Sequence, residues 1–320
     1  MIQSEHIPLD VLEADIRRRG IDPESVLATK DLPGLEGLPQ IVSSTEFLAL
    51  QLRYGYQRAV ALVRARIDMA ALENSLRGSN PLPTALRASQ VDLLAETFRQ
   101  QATAAQEGAY RRGVQDGARQ LRKVNVEIRF DHMDPHAATY ARRASSRLIT
   151  HINESQREAV RNLVETSVAT GRTVQDIARD IRNVVGLRPD QVDSLGKFRE
   201  RISQREGLSV DQIEGKVRRY ADALLRQRGE LIARTEVLSA ANNGQVETWM
   251  EARRAGLIDQ TFGKEWVVTP DELLCPICES LDNQVVGLTE QFESDEADAV
   301  AHPPAHPQCR CSLILSKMEG

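Results

Sequence analysis

All four cysteines of this 320-residue chain lie in one short stretch near its C-terminal end. The first two form a Cys275-Pro-Ile-Cys278 pair, and the others belong to the segment His306-Pro-Gln-Cys309-Arg-Cys311. A CxxC pair can present two thiolates to one metal ion, and a second pair of His and Cys side chains completes a tetrahedral site. The spacing therefore predicts a structural zinc ion.

The predicted ligands are Cys275, Cys278, His306 and Cys309, with Cys311 as the alternative ligand. His306 and Cys309 are three residues apart across a proline turn, so both can face one ion. We expect Cys309 and Cys311 to face opposite ways, so that only one of them binds. Two other interpretations remain open: disulfides or redox-active thiols, which a reducing cytosol disfavours, and a metal-free packed loop.

The same residues do not favour catalysis. The chain has no P-loop, no G-x-S-x-G and no H-E-x-x-H motif, and the H-x-E of the zinc deaminases does not occur. A nuclease built on such a cluster must approach phosphates, yet residues 265–301 carry ten acids and no base. We therefore expect no catalytic residue, no organic cofactor and no enzyme activity.

The composition predicts a mainly α protein. Aromatic residues make up only 4 % of the chain, so its cores must be built from Leu, Ile, Val and Ala, which favours helix-on-helix packing. We expect an N-terminal helical region, a central helical bundle and a small C-terminal α+β Cys/His module. The predicted segments are a loosely structured lead over 1–40, a helical domain over 41–125, a helical core over 126–260 and the module over 261–320.

Within these segments, apolar residues at helical spacing predict one helix over 44–78 and a second over 84–123. The second helix contains Gly108, Gly113 and Gly117, which predict a kink or a close contact with another helix. Residues 124–130 alternate apolar and polar side chains and predict a strand. The domain break is expected between Lys123 and Asp134.

The charge is unevenly distributed. Residues 41–264 carry 35 bases against 27 acids, and 35 of the 41 bases in the whole chain are arginines. Arginine suits contacts with phosphate, although a GC-rich genome would give the same bias. We expect at most weak, salt-sensitive, sequence-independent DNA binding. The first twenty residues lack a secretory apolar region and no apolar run approaches a membrane span, so the chain is expected to begin in the cytosol, without a membrane partner.

Four groups of residues together resemble the phage Mu F-like family of minor head, or head morphogenesis, proteins. The resemblance covers roughly residues 130–315, and two positions depart from the family pattern: Asn283 stands where Gly is common, and an acidic insert occupies Glu290–Asp298. The resembling groups are Gly171–Ala178; Leu231–Glu236 with Ala240–Gly244 and Trp249; Trp266, Asp271, Cys275–Cys278 and Leu281-Asp282; and His306–Cys311.

The resemblance implies a protein of a tailed-phage head, present in a few copies per particle and acting in procapsid assembly near the portal, with a role in DNA packaging or delivery. The implied partners are the portal protein and the major capsid or scaffold proteins. The implied location is the virion, with the host cytoplasm during assembly. The alternative is a DNA-binding or DNA-processing protein that uses an arginine-rich helical surface and a zinc knuckle.

One family segment calls for a separate structural interpretation. Arg234, Thr235 and Glu236 lie on a helix whose face continues to Asn242. Polar groups on an otherwise apolar helix face usually satisfy one another by hydrogen bonding. We therefore predict that these four residues form a structural polar network.

Overall fold

The computed structural model of the chain describes residues 41–78, 80–128, 134–205, 207–269 and 274–318. The expected lead over residues 1–40 lies outside this described part, as does Asp271 of the resembling motifs. None of the helices in the described ranges is long and apolar enough to span a membrane.

The first described helices divide where two long ones were predicted. Helix α1 (Ile41–Arg66) is followed by α2 (Met69–Arg77) after a break at Ile67. The Asp68 carboxylate accepts a hydrogen bond from Ala71 N at 3.1 Å and so starts the new helix. Helix α3 (Pro81–Ala88) ends before Gln90, whose φ of 53° lies outside helical values. The four helices are α1 Ile41–Arg66, α2 Met69–Arg77, α3 Pro81–Ala88 and α4 Val91–Lys123.

The central region is helical, as predicted, and its described residues contain no strand. Thr173 caps helix α6 (Val174–Val184) through a hydrogen bond from Asp176 N to its hydroxyl at 3.2 Å. Gly186 follows the same helix with a φ of 90°, a conformation that favours glycine. The helices are α5 Asp134–Ala169, α6 Val174–Val184, α7 Pro189–Ser203 and α8 Val210–Arg254. The mainly α fold class is confirmed.

The strand predicted over 124–130 is wrong for its described residues. Residues 124–125 form a turn and residues 126–128 have no regular structure, while 129 and 130 lie outside the described part. The apolar positions Val126 and Ile128 instead pack directly against the core of the C-terminal module. The alternation of apolar and polar residues therefore reflects burial of one side of the chain and not pairing in a sheet.

The C-terminal module combines short strands with one short helix, as expected. Strand β1 (Phe262–Val267) lies in the middle of a three-stranded antiparallel sheet, between β2 (Val285–Gly287) and β5 (Ser312–Lys317). Strands β3 (Phe292–Ser294) and β4 (Ala297–Val300) pair as a separate hairpin. The elements are β1 Phe262–Val267, α9 Pro276–Leu281, β2 Val285–Gly287, β3 Phe292–Ser294, β4 Ala297–Val300 and β5 Ser312–Lys317.

The chain forms two compact units built from separate stretches of sequence. Unit 1 comprises residues up to 52, 101–144 and 231–320, and unit 2 comprises 53–100 and 145–230. The four consecutive segments expected from the sequence stay a prediction.

In unit 1, α4 and α8 approach each other at glycines. A Cβ on Gly113 would lie 1.8 Å from the carbonyl oxygen of Ala241, and one on Gly244 would lie 2.2 Å from that of Tyr110. Only glycine permits such backbone contact, which confirms the close helix contact predicted from the glycines of α4. Trp249 on α8 adds a hydrogen bond from its indole Nε1 to Gly117 O at 3.3 Å.

In unit 2, the turn at Gly186 is held by three helices. Its carbonyl accepts hydrogen bonds from the Tyr56 hydroxyl at 2.7 Å and from Arg228 Nη1 at 3.1 Å. Its amide donates to Gln156 Oε1 at 2.5 Å. Because the polar atoms of this buried turn are paired, the buried Arg228 is tolerated there.

Candidate metal centre

The first half of the Cys/His cluster is built by the start of α9. Cys275 is the N-cap residue, and its sulfur accepts a hydrogen bond from Cys278 N at 3.4 Å. Pro276 takes the first helical position, where its missing N–H costs nothing. The helical turn places both sulfurs on one side, with Cys278 buried and Cys275 half-buried.

The second half is a tight turn that leads into β5. Cys309 N donates to His306 O at 3.1 Å, and Gln308 adopts a φ of 71°. The Nδ1 of His306 lies 2.7 Å from Pro307 O. A carbonyl can only accept, so Nδ1 carries the proton and Nε2 offers its lone pair to the cluster. Metal-binding histidines are oriented by second hydrogen bonds of this kind.

The two halves converge on Cys278. His306 Nε2 lies 3.0 Å from the sulfurs of both Cys275 and Cys278, and the sulfur of Cys278 lies 3.8 Å from that of Cys309. The ligand atoms form two overlapping groups, each within 4.8 Å: Cys275, Cys278 and His306; and Cys278, Cys309 and Cys311. Cys278 belongs to both groups.

The expectation that Cys309 and Cys311 face opposite ways is wrong. Both residues are 2 % exposed, and their sulfurs lie within 4.8 Å of each other and of Cys278. Side chains two positions apart along an extended chain share a face, so this arrangement needs no extra turn between them. The cluster therefore offers five donor atoms where four were expected.

All four cysteines are free thiols. Hydrogen bonding to Cys309 and Cys311, together with burial, raises the pKa of Cys278. The same contacts lower the pKa of Cys309, because its sulfur accepts hydrogen bonds from the thiols of Cys278 and Cys311. A metal ion bound here would displace the thiol protons and replace these hydrogen bonds with metal–sulfur bonds.

The donor set fits zinc in chemistry and nearly in geometry. Two thiolates bound tetrahedrally at about 2.3 Å from zinc lie about 3.8 Å apart, which is the separation of Cys278 from Cys309. The two sulfur–nitrogen distances of 3.0 Å are shorter than such a site requires, so His306 would move outward by about half an ångström.

The module's core is shared with the helices of unit 1. Trp266 and Phe292 are fully buried and meet edge to face with ring centroids 5.1 Å apart. The same apolar cluster includes Leu121 of α4 and Trp249 of α8. The module therefore does not have to build a hydrophobic core alone.

Sequence reasoning did not single out the residues that fasten the module. Gln245 and Gln120 both donate to Leu313 O, at 2.9 and 3.3 Å, and Gln120 Oε1 accepts from Leu315 N at 2.6 Å. These side-chain amides form hydrogen bonds with backbone groups on the outer edge of β5, which would otherwise be unpaired. A glutamine on a helix carries no signal of this role in the sequence.

The acidic insert Glu290–Asp298 forms most of the β3–β4 hairpin. Lys264 of β1 is 1 % exposed, donates from Nζ to Ala301 O at 2.6 Å and lies 5.4 Å from the centroid of the Phe292 ring. Burial lowers the pKa of Lys264 to about 8, against a smaller opposing effect of Glu290. Asn283, which stands where glycine is common in the family, adopts a φ of 60°, a left-handed conformation that glycine and asparagine both tolerate.

The residues of the predicted polar network lie on α8 within unit 1. Gln106 of α4 donates to Glu236 at 2.7 Å, and Asn242 donates to Leu238 O of its own helix at 3.0 Å. Thr235 Oγ1 and Asn242 Oδ1 are buried without a hydrogen-bond partner among the described residues. A single network that also includes Arg234 stays a prediction.

Residues 158–314 match a family model described as Phage Mu protein F like protein. The match spans 157 of the 320 residues and contains both halves of the Cys/His cluster together with helices α6, α7 and α8. No curated protein and no solved structure matches the chain. The resemblance identified from the sequence motifs is confirmed.

Proposed function

Through residues 158–314 the chain belongs to the Phage Mu F-like family of head morphogenesis proteins, and from this premise we propose that it is a minor capsid protein of a tailed phage. It acts in procapsid assembly at or near the portal vertex. Its partners are the portal protein and the major capsid or scaffold proteins. It is carried in the virion head after assembly in the host cytoplasm, and it aids DNA packaging or delivery.

The observation that carries this proposal is the extent of the family match. It includes the helical region and the Cys/His module together, rather than the cysteine motif alone. In unit 1 the C-terminal part of α8 and the module share one apolar core, so the match includes a folded body and not only a short ligand-binding motif. Such a body offers surfaces for assembly, and the proposed role is structural rather than enzymatic.

The metal centre supports the same role. We propose that zinc is held by Cys275, Cys278, His306 and Cys309, with Cys311 able to take the fourth position. Four protein ligands saturate zinc and leave no place for a water nucleophile. When bound, the ion cross-links α9 to the turn that precedes β5. The cysteines and the histidine thereby hold the loop that carries the β3–β4 hairpin.

The test removes the gene from its phage and restores it in trans. Purified procapsids are analysed by mass spectrometry, with the portal protein as the internal standard. We expect this chain at a few copies per particle in procapsids that contain portal, and its absence from procapsids assembled without portal. Equal incorporation with and without portal would contradict the portal-proximal placement, and absence from all heads would contradict the function.

A complementing chain with Cys275→Ser separates the module from the helices. We expect it to fail in assembly although circular dichroism still shows the helices of residues 135–255. The matched control is Ser280→Ala on α9, which leaves all five candidate ligands in place. Normal heads with Cys275→Ser would show that assembly does not depend on the metal centre.

A further inference from the structure

Unit 2 carries a basic groove that the assembly role does not explain. A cavity of about 380 Å³ lies between α7 and α8, open to solvent. Its lining combines four cations with two aromatic rings: Arg201, Arg205, Lys216, Arg219, Phe198 and Tyr220. No described residue of this lining is acidic.

The four cations are available for a ligand. All four are exposed, and none of them makes an ion pair with another described residue. Arg199, two positions before Arg201 on the same helix, behaves differently. It binds Asp180 at 2.7 Å and also pairs with Glu214. Asp180 and Glu214 are thus paired with Arg199, and neither of them lines the groove.

The aromatic rings hold one of the cations in place. Phe198 and Tyr220 pack with ring centroids 4.5 Å apart, and the guanidinium of Arg201 lies 5.5 Å from the centroid of the Phe198 ring. A guanidinium stacked on a ring keeps its N–H donors free at the edge. Arg201 is therefore positioned for an anion before any ligand arrives.

The cations occur in two pairs. Arg201 lies on α7 and Arg205 follows two positions after its end, while Lys216 and Arg219 are three residues apart on α8. At this helical spacing the Cβ atoms of Lys216 and Arg219 lie about 5–6 Å apart. The groove therefore presents two positive side chains from α8 and two from α7 and the residues that follow it. This pattern suits a chain with repeated anionic groups rather than a single small anion.

We propose that this groove binds the phosphodiester backbone of nucleic acid, without reading its sequence. Guanidinium groups match phosphate through paired hydrogen bonds. An acidic polypeptide fits less well, because its N–H groups need acceptors and only the Tyr220 hydroxyl among the lining side chains can accept. The inference goes beyond the assembly role and does not depend on it.

The test is binding of the full chain to a fluorescent DNA duplex of about 30 base pairs, followed by anisotropy, with single-stranded DNA of the same length as a second probe. For four phosphate contacts we expect the affinity to fall by about 100-fold between about 50 and about 200 mM salt. Duplexes of unrelated sequence should bind equally. Binding to single strands alone would overturn recognition of the backbone and point to base stacking on the rings.

Matched double variants locate the site. Arg201→Ala with Arg205→Ala, and separately Lys216→Ala with Arg219→Ala, should each weaken binding by more than about tenfold and reduce the salt slope by about two. The control, Arg147→Ala with Arg161→Ala, removes the same charge from exposed positions of α5 in the same unit. It should change the dissociation constant by less than about threefold. All variants are first checked for unchanged helix content.

Three results would overturn the proposal. The first is no binding of either DNA probe at low salt. The second is an equal loss in the control variant, which would show that net charge alone attracts DNA. The third is displacement of the duplex by poly-glutamate at equal charge concentration, which would assign the groove to an acidic polypeptide. Head assembly is scored in a different assay, so its failure is distinguishable from each of these results.

Discussion

The contact between α4 and α8 and the Cys/His module lie in the same compact unit but are held together in different ways. The helices meet where Gly113 and Gly244 let one backbone touch the other, so the geometry of their contact is set by the absence of side chains. The module is set by side chains, with five sulfur and nitrogen donors gathered around Cys278. One region tolerates no added atom, and the other depends on particular atoms being present.

The difference teaches where each region is vulnerable. Long helices bury a continuous apolar face, and most of their stability comes from packing. The module's strands are three to six residues long, and part of its core is supplied by Trp249 and Leu121 of the helices. We expect the helices to survive loss of the module's ligands, whereas the module should not survive loss of the helix contact.

The largest effect is expected from Gly113→Ala. The new Cβ would lie 1.8 Å from the Ala241 carbonyl oxygen, a backbone atom that cannot move without separating the two helices. We expect a loss of about 4–5 kcal/mol in the free energy of unfolding, measured with urea. The control is Gly196→Ala on α7, where nothing lies within 4 Å of the new Cβ and a gain of up to about 1 kcal/mol is expected. Similar results for the two variants would contradict the close contact.

The next effect is loss of metal in Cys278→Ser. Cys278 belongs to both ligand groups, so this variant should retain less than about a tenth of an equivalent of zinc, whereas the wild-type reduced protein retains about one. Cys311→Ser is the matched control and should keep most of its zinc, because Cys309 remains as fourth ligand. Wild-type protein that is folded beyond Trp266 yet free of zinc would show that packing alone holds the module.

A smaller effect is expected from Lys264→Met, and it depends on pH. Burial lowers the pKa of Lys264 from 10.5 to about 8, so the unfolded chain binds more protons between these values and stability rises with pH across that window. At pH 7 the buried charge of Lys264 costs up to roughly 3 kcal/mol of stability. The hydrogen bond from Nζ to Ala301 O, which the variant loses, offsets about 1 kcal/mol of that cost.

Lys264→Met should therefore be more stable than the wild type by about 1–2 kcal/mol at pH 7 and lose this advantage by pH 10.5. The cysteine thiols titrate in both proteins, so the difference between their unfolding curves isolates the lysine. An advantage that stays constant from pH 7 to pH 10.5 would show that folding does not lower the pKa of Lys264.

The smallest effect concerns the attachment of β5 to the helices. Gln120→Ala removes two hydrogen bonds, to Leu313 O and Leu315 N, and should cost about 1–2 kcal/mol. Gln115→Ala is the control, because Gln115 is exposed and, among the described residues, its side chain accepts a hydrogen bond only from Arg112. Faster amide hydrogen exchange along β5 in the first variant alone would confirm the attachment. No difference in exchange between the two variants would contradict it.

Local patterns in the sequence determined the mainly α fold, the cap at Thr173, the left-handed turns at Gly186 and Asn283, and the candidate ligands. Each depends on residue types a few positions apart, because a helix start, a glycine turn and a CxxC knuckle are formed by neighbouring residues. The family resemblance belongs here too, since it was carried by short motifs in a fixed order.

Only the tertiary structure decided how distant residues meet. The segment predicted as a strand is an irregular connection, because Val126 and Ile128 pack against the module's core and not along a sheet edge. The tertiary structure places the sulfurs of Cys309 and Cys311 close to that of Cys278. It also places two helical glutamines, Gln120 and Gln245, where they form hydrogen bonds with the backbone of β5. These contacts join residues tens to hundreds of positions apart. Their partners are chosen by packing geometry, which no local pattern encodes.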